Sequence, residues 1–285
     1  MRRTFLKLAA IAVCIPGMTF CALAADDVEA TYGTGKNIFT LATGSPGELG
    51  LLKALAEDFA KRADAQMKWV KAGTGQSLKL LQGKKVDMAM VHAPAQVEKA
   101  VKDGWATGKT LIASNEFYIV GPKNDPAEIA KASSSTGAYV RIAGAKGRFV
   151  SRGDNSGTHQ KEMQIWQRAR VQPAGDWYIV TRDFMTASLR RANAEGAYFM
   201  TDSSTWIMEK NIAPELAILY RGDKFLVNTY HALLAPVGAT AGHDTAEKFI
   251  AYVSSPDGQK VISDYGRDEF GESLYDDAAY AAKYE

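Results

Sequence analysis

Short apolar runs alternate along the chain with segments whose apolar residues recur every three or four positions. The first pattern fits buried strands and the second fits amphipathic helices packed on them, so the alternation predicts an α/β fold. Asn37 to Ala42 reads as a strand running into the turn Thr43-Gly44-Ser45-Pro46-Gly47, after which Leu51, Leu52, Leu55 and Phe59 share a helical face. Met67 to Val70 predicts a second strand, followed by Gly73-Thr74-Gly75 and a helix with Leu78, Leu80 and Leu81. Asp87 to Val91 and Phe117 to Val120 predict two more, with a helix after Pro94. Phe149-Val150 leads into the turn Ser151 to Ser156 and a helix bearing Met163, Ile165 and Trp166. Trp177 to Val180, Tyr198 to Met200, Ala217 to Tyr220 and Tyr230 to Leu234 complete the strands. Two helices carrying Phe249, Ile250 and Val253, then Val261, Ile262 and Tyr265, flank the turn Ser255 to Gly258. Asn124-Asp125-Pro126 and Ser133 to Gly137 are the loop-rich stretches, and the first is a candidate lobe boundary. Gly33-Thr34-Gly35-Lys36 is expected to be a flexible N-terminal stretch.

The first 24 residues change the composition arithmetic. Arg2, Arg3 and Lys7 precede an apolar run from Leu8 to Leu23 that ends in Ala22-Leu23-Ala24, the pattern of a cleaved export signal. Pro16-Gly17 interrupts the run, which argues against a membrane span. Arg2-Arg3-Thr4-Phe5-Leu6-Lys7 also fits a twin-arginine motif, with a general secretory signal as the alternative. The whole chain has 34 Lys+Arg and 32 Asp+Glu, but cleavage after Ala24 leaves 31 basic against 32 acidic residues. Such a surface does not draw nucleic acid or anionic lipid by bulk charge. Both cysteines, Cys14 and Cys21, lie inside the signal, so the mature protein is expected to have no disulfide and no thiolate chemistry.

The stretch Ser151-Arg152-Gly153-Asp154-Asn155-Ser156-Gly157-Thr158-His159 carries the most chemistry. It follows a predicted strand and opens a predicted helix, whose first N–H groups and positive dipole end suit an anion. Arg152 adds a cationic fork, Ser156 and Thr158 add hydroxyl donors, and Asp154 is placed to brace the guanidinium. By themselves these residues fit either an anion site or an ordinary capped helix with a surface arginine. Thr43-Gly44-Ser45 and the turn Gly73 to Ser77 share the strand–turn–helix context and small hydroxyl residues. The dinucleotide fingerprint fails for want of a third glycine at Leu78, and Gly33 to Lys36 lacks a phosphate loop's spacing. His92, His159, His231 and His243 show no metal-ligand spacing, no Gly-x-Ser-x-Gly elbow occurs, and Trp166, Trp177 and Trp206 fit core positions.

At Phe149 to His159 and Asp87 to Pro94 the chain resembles the periplasmic substrate-binding proteins of tungstate ABC transporters. Val120 to Lys123, Gly196 to Tyr198 with Thr201-Asp202, Gly73 to Gln76 and the closing stretch Ala246 to Gly266 add to the resemblance, which runs from about Asn37 to Gly266. It implies a two-lobed, type II periplasmic-binding-protein fold with mixed sheets and flanking helices, closing on its ligand like a hinged clamp. The implied division is a signal at 1–24, one lobe from 25–121 and 229–285, and a second from 122–228. Arg152, Ser156, Gly157 and Thr158 would form one wall of an oxyanion site, and Thr43, Gly44, Ser45 and Thr74 the other, with Asp154 and His92 behind them. The family's Thr-Thr-Thr-Ser run is replaced here by Ala42 to Gly47, which implies a cradle of different shape. Phosphate-binding relatives place an acidic residue where His92 stands, so a proton-free oxyanion such as tungstate or molybdate is the better match. The resemblance thus implies an exported, periplasmic, monomeric binding protein that is not an enzyme. It would carry no cofactor or resident metal, would not bind nucleic acid, and would deliver its anion to a membrane permease. The alternatives are a binder of another anion or small organic acid, and an exported hydrolase using Ser156 and His159.

Overall fold

The computed structural model describes residues 28–285, and the export signal with its two cysteines lies outside them. The strands are β1 (Ala30–Tyr32), β2 (Asn37–Thr43), β3 (Ala65–Lys71), β4 (Met88–Val91), β5 (Thr107–Pro122), β6 (Phe149–Ser151), β7 (Tyr178–Val180), β8 (Tyr198–Asp202), β9 (Leu216–Tyr220), β10 (Val227–Leu234) and β11 (Asp276–Asp277). The helices that flank them are α1 (Ser45–Glu48), α2 (Leu51–Ala63), α3 (Thr74–Gln82), α4 (Pro94–Lys102), α5 (Ser135–Gly144) and α6 (Gly157–Arg168). They continue as α7 (Met185–Glu195), α8 (Ser203–Glu209), α9 (His243–Val253), α10 (Pro256–Asp264), α11 (Arg267–Phe270) and α12 (Ala278–Ala281).

Among the described residues all strands join one 11-stranded mixed sheet in the order β1-β3-β2-β4-β10-β5-β8-β6-β7, with β9 and β11 also on β5. β2 runs parallel to β3 and β4, and β6 runs parallel to β7 and β8. These are βαβ units whose strand-to-helix turns fall at the strands' carboxyl ends, where open α/β sheets hold ligands. β5 divides the sheet into two wings: up to Glu116 it pairs antiparallel with β10, and from Phe117 onward with β8 and β9. The sequence pattern marks only the second part of β5. Its first part, Thr107-Gly108-Lys109-Thr110, is polar and partly exposed, so neither alternation nor an apolar run betrays it.

Each wing has its own aromatic core. In the first, Phe39 of β2, Phe59 of α2 and Phe249 of α9 interlock with centroids 5.3–6.2 Å apart. Phe249 brings the chain's C-terminal part back onto its N-terminal strands. In the second wing Tyr139, Phe149 and Trp166 pack at 4.3–5.3 Å and are fully buried. Burying each such ring contributes about 1.5–3 kcal/mol, which fixes α6 against β6 and so orients the helix's first turn.

Two loop expectations change. Ser133 to Gly137 is not a loop throughout: Ser134 accepts the Gly137 N–H at 3.0 Å and caps α5, a role to which a short hydroxyl suits it. The Gly33 to Lys36 stretch is a packed turn, with Gly35 N–H on the Ala65 carbonyl at 3.2 Å and Gly33 at φ +80, a left-handed geometry glycine adopts without cost. The C-terminal segment forms β11, which pairs with Ser114 and Ala113 of β5.

Candidate functional site

A small cavity opens where the carboxyl ends of β2, β3 and β4 face the start of α6 across the sheet's midline. It encloses about 300 Å³ including its mouth and is lined by Thr43, Gly44, Ser45, Thr74, Arg152 and Ser156, with Pro46, Gly73, Met90, His92 and Phe184 between them. Its interior narrows to room for roughly one water-sized sphere. A much larger cavity of about 1100 Å³ lies elsewhere, between α2 and α10, but it is solvent-open and edged by Asp58, Arg62, Asp257, Lys260 and Asp264. The chemistry converges in the small one.

Each wing brings a helix start. Gly73 caps α3 without a side-chain bond, so the first-turn N–H groups of Thr74, Gly75 and Gln76 have no partner within the helix. Ser156 caps α6 by accepting the His159 N–H at 3.3 Å, which leaves its own O–H and the N–H groups of Gly157 and Thr158 outside the helix's bonding. The turn that delivers α6 is tightly specified. Gly153 has φ +59, and a side-chain carbon there would stand 2.2 Å from Val180. Asp154 takes the Ser156 N–H at 3.0 Å.

Arg152 is the cation of the site and is only 3 % exposed. Its Nε donates to the Asp183 carbonyl at 3.1 Å and one terminal nitrogen donates to Asp154 at 2.6 Å, so the fork is held on one side while the other edge lines the cavity. Two further cations stand near. Lys71 sits over the ring of Phe184, a cavity residue, its Nζ 4.5 Å from the centroid. Lys161, one turn into α6, donates to the Phe225 carbonyl at 3.0 Å, and burial pushes it down to about 8.

His92 fills the back of the cavity. Its ring stacks on Tyr230 at 5.1 Å, and Gly157 lies flat against it: a side-chain carbon on Gly157 would stand 2.5–2.6 Å from three ring atoms. The ring Nδ1 meets Asn228 Oδ1 at 2.8 Å. Asn228 donates to Asn115 at 2.7 Å, Asn115 to Ser204 at 2.8 Å, and Ser204 to the Leu274 carbonyl at 2.6 Å. That run of donors requires the Nδ1–H form of His92, leaving Nε2 bare. Burial, aided by Arg152 and Lys161 and opposed by the bond to Asn228, pushes His92 down to about 4. The imidazole is therefore neutral, and the cavity's positive charge comes from Arg152 and the helix starts.

The structure thus brings Thr43, Gly44, Ser45, Thr74, Arg152, Ser156 and His92 around one cavity. Gly157 and Thr158 do not line it: they form the first turn behind Ser156, where Gly157 contacts His92 and the Thr158 side chain is buried. Thr43 lines the wall, but its hydroxyl donates to the Met90 carbonyl at 2.9 Å, so it braces β2 on β4 rather than offering a proton inward. Sequence reasoning missed Phe184, Met90 and Pro46. Phe184 stands in a polar turn before α7 and nothing in its spacing tells it from a packing residue; only the tertiary fold lays it over the cavity. Ser156 and His159 do not form a nucleophile–base pair, because the imidazole Nδ1 accepts the Asn155 N–H at 3.0 Å.

Two wings joined through β5 place a cavity lined by Arg152 between the starts of α3 and α6. Residues 28–257 match the family model of the PBP superfamily domain. This chain belongs to the PBP superfamily. It is 30% identical to the tungstate-binding protein TupA of Peptoclostridium acidaminophilum, with 96% of this chain and 98% of that protein covered. It is 32% identical to a putative ABC transporter anion-binding protein of Haloferax volcanii, over 83% of this chain and 71% of that one. Among solved structures, that of the tungstate ABC transporter from Geobacter sulfurreducens superposes with a TM-score of 0.72 at 37% identity, covering 81% of this chain and all of that one. The fold is the mixed α/β type II arrangement that the sequence resemblance implied, and the family is one of solute-binding proteins.

Proposed function

We propose that this PBP superfamily member captures tungstate, with molybdate as the nearest competitor, and hands it to the membrane permease of an ABC transporter. The observation that carries the reading is the buried Arg152 fork, held by Asp154 and Asp183, facing a cavity fed by the amide ends of α3 and α6. One full charge plus oriented dipoles stabilises a small dianion without desolvating several cations. Thr74, Arg152 and Ser156, with the backbone of Gly44 and Ser45, are the proposed contacts; Thr43, His92 and Asp154 hold them, and Gly157 and Thr158 contribute through the dipole of the first turn of α6 behind Ser156. Of the described residues, 28–121 and 229–285 form one lobe and 122–228 the other, with β5 and β10 as the crossings. The protein works as a periplasmic monomer after loss of residues 1–24, by either export route, binds no nucleic acid and catalyses no reaction.

Thermal unfolding with tungstate, molybdate, sulfate and phosphate tests this, because a ligand that binds only the folded form raises the midpoint by mass action. Tungstate is expected to give the largest rise and Arg152→Ala to abolish it. A wild-type midpoint indifferent to all four ions, or an undiminished rise in Arg152→Ala, would overturn the reading.

A further inference from the structure

An aromatic ring forms part of the cavity wall. Phe184, which precedes the first turn of α7 on the second wing, lines the cavity beside Arg152, whose guanidinium carbon lies 5.8 Å from the ring centroid. The other cation at this ring comes from the first wing. Lys71 ends β3, and its Nζ stands 4.5 Å from the Phe184 centroid while pairing with Glu48 Oε1 at 2.8 Å. Glu48 ends α1, the short helix that begins at the cavity residue Ser45, and with Lys71 it is largely shielded from water, at 18% and 29% side-chain exposure. The ammonium is therefore aimed by a carboxylate onto the π-face of a residue from the opposite wing. A contact of this kind exists only while the wings are together.

We propose that Phe184 and Lys71 form a latch that holds the clamp shut, and that this pair sets how slowly a captured oxyanion leaves. The inference rests on the oxyanion reading above for its cargo but not for its geometry. Phe184 supplies a water-excluding cover that offers the anion no hydrogen bond, and Lys71 supplies the attraction that keeps the cover down. Because the two residues meet only on closure, losing either one accelerates release more than it slows capture.

The test is a double-mutant cycle with Phe184→Leu, which keeps an apolar cover but loses the π-face, and Lys71→Met, which keeps the stem but loses the charge. Release of pre-bound tungstate is followed by stopped-flow tryptophan fluorescence, with Trp69 as reporter through its bond to the Thr43 carbonyl at 3.0 Å. Either single substitution is expected to speed release roughly three- to tenfold, and the double variant no more than either alone. The general charge effect of Lys71 on an anion would persist in the Phe184→Leu background, so it cannot mimic the coupling. In parallel, the Lys71 ε-methylene protons should show an upfield ring-current shift by NMR that disappears in Phe184→Leu. Independent, multiplying rate effects, or a Lys71 signal that Phe184→Leu leaves in place, would overturn the latch. Should wild type show the ring-current shift yet bind no tungstate, the latch stands and the oxyanion reading falls.

Discussion

Gly157→Ala probes the point where the two wings touch behind the cavity. An added carbon would stand 2.5 Å from His92 Cε1 and 2.6 Å from Nδ1 and Nε2, against an ordinary contact distance of 3.4–4 Å. The overlap is roughly 1 Å, and the ring cannot swing aside easily: Tyr230 lies on its other face at 5.1 Å and Asn228 holds Nδ1 at 2.8 Å. Alanine's helix propensity works in the opposite direction, by at most about 1 kcal/mol and less at a first turn, so the sign of the outcome separates the two effects. Overpacking of this kind costs about 1–3 kcal/mol, giving an expected net loss of about 1–2 kcal/mol of stability. The larger consequence is for binding. Relief of the overlap moves the start of α6 away from the cavity and lengthens charge-assisted bonds worth about 1.5–3 kcal/mol each, so tungstate affinity should fall about ten- to a hundredfold. Titration calorimetry reads the affinity and thermal unfolding the stability. His92→Ala opens the space the new carbon needs, so the double variant should regain part of the loss of affinity. A Gly157→Ala protein as stable and as tight-binding as wild type would refute the packing argument, as would additive effects in the double variant.

Two more predictions concern buried titrating groups. Glu162 is 2% exposed, accepts from Tyr178 and Trp166 at 2.7 and 3.1 Å, and is pushed up by burial from 4.5 to about 7. The folded form keeps that proton where the unfolded form has lost it, so stability drops as pH rises through this window, by up to about 3 kcal/mol. Glu162→Gln keeps the acceptor oxygen and should melt higher than wild type at pH 8 but not at pH 4.5; equal midpoints at pH 8 would refute it. His92 has the reverse sign, since burial lowers it from 6.5 to about 4 and acid protonates the unfolded form first. Between pH 7 and 4 wild type should lose up to about 3 kcal/mol more than His92→Asn, read from denaturant midpoints at each pH; parallel profiles would contradict the assignment.

Much of this protein is legible in its sequence alone. The apolar runs locate β2, β3, β4 and β6–β10, and the turns after β2, β3 and β6 mark the chemistry, because strand-to-helix turns are local objects whose residues report their own conformation. The capping role of Ser156 and the brace between Asp154 and Arg152 were readable for the same reason: donor and acceptor lie two or three residues apart. What the sequence could not supply was everything that depends on distant segments meeting. The polar first part of β5 is a strand only because β10 pairs with it, and β11 exists only because the chain's end returns to the same strand. Thr43 looked like an anion donor until β4 placed the Met90 carbonyl within reach of its hydroxyl. Burial by both wings makes His92 neutral, and its Nε2 is bare because Asn228, Asn115 and Ser204 line up across β10, β5 and α8, residues far apart in the chain. Phe184 and Lys71 meet for a like reason. Local backbone preference and periodicity are written into neighbouring residues; desolvation, proton placement and closure arise from atoms whose proximity only the packed fold creates.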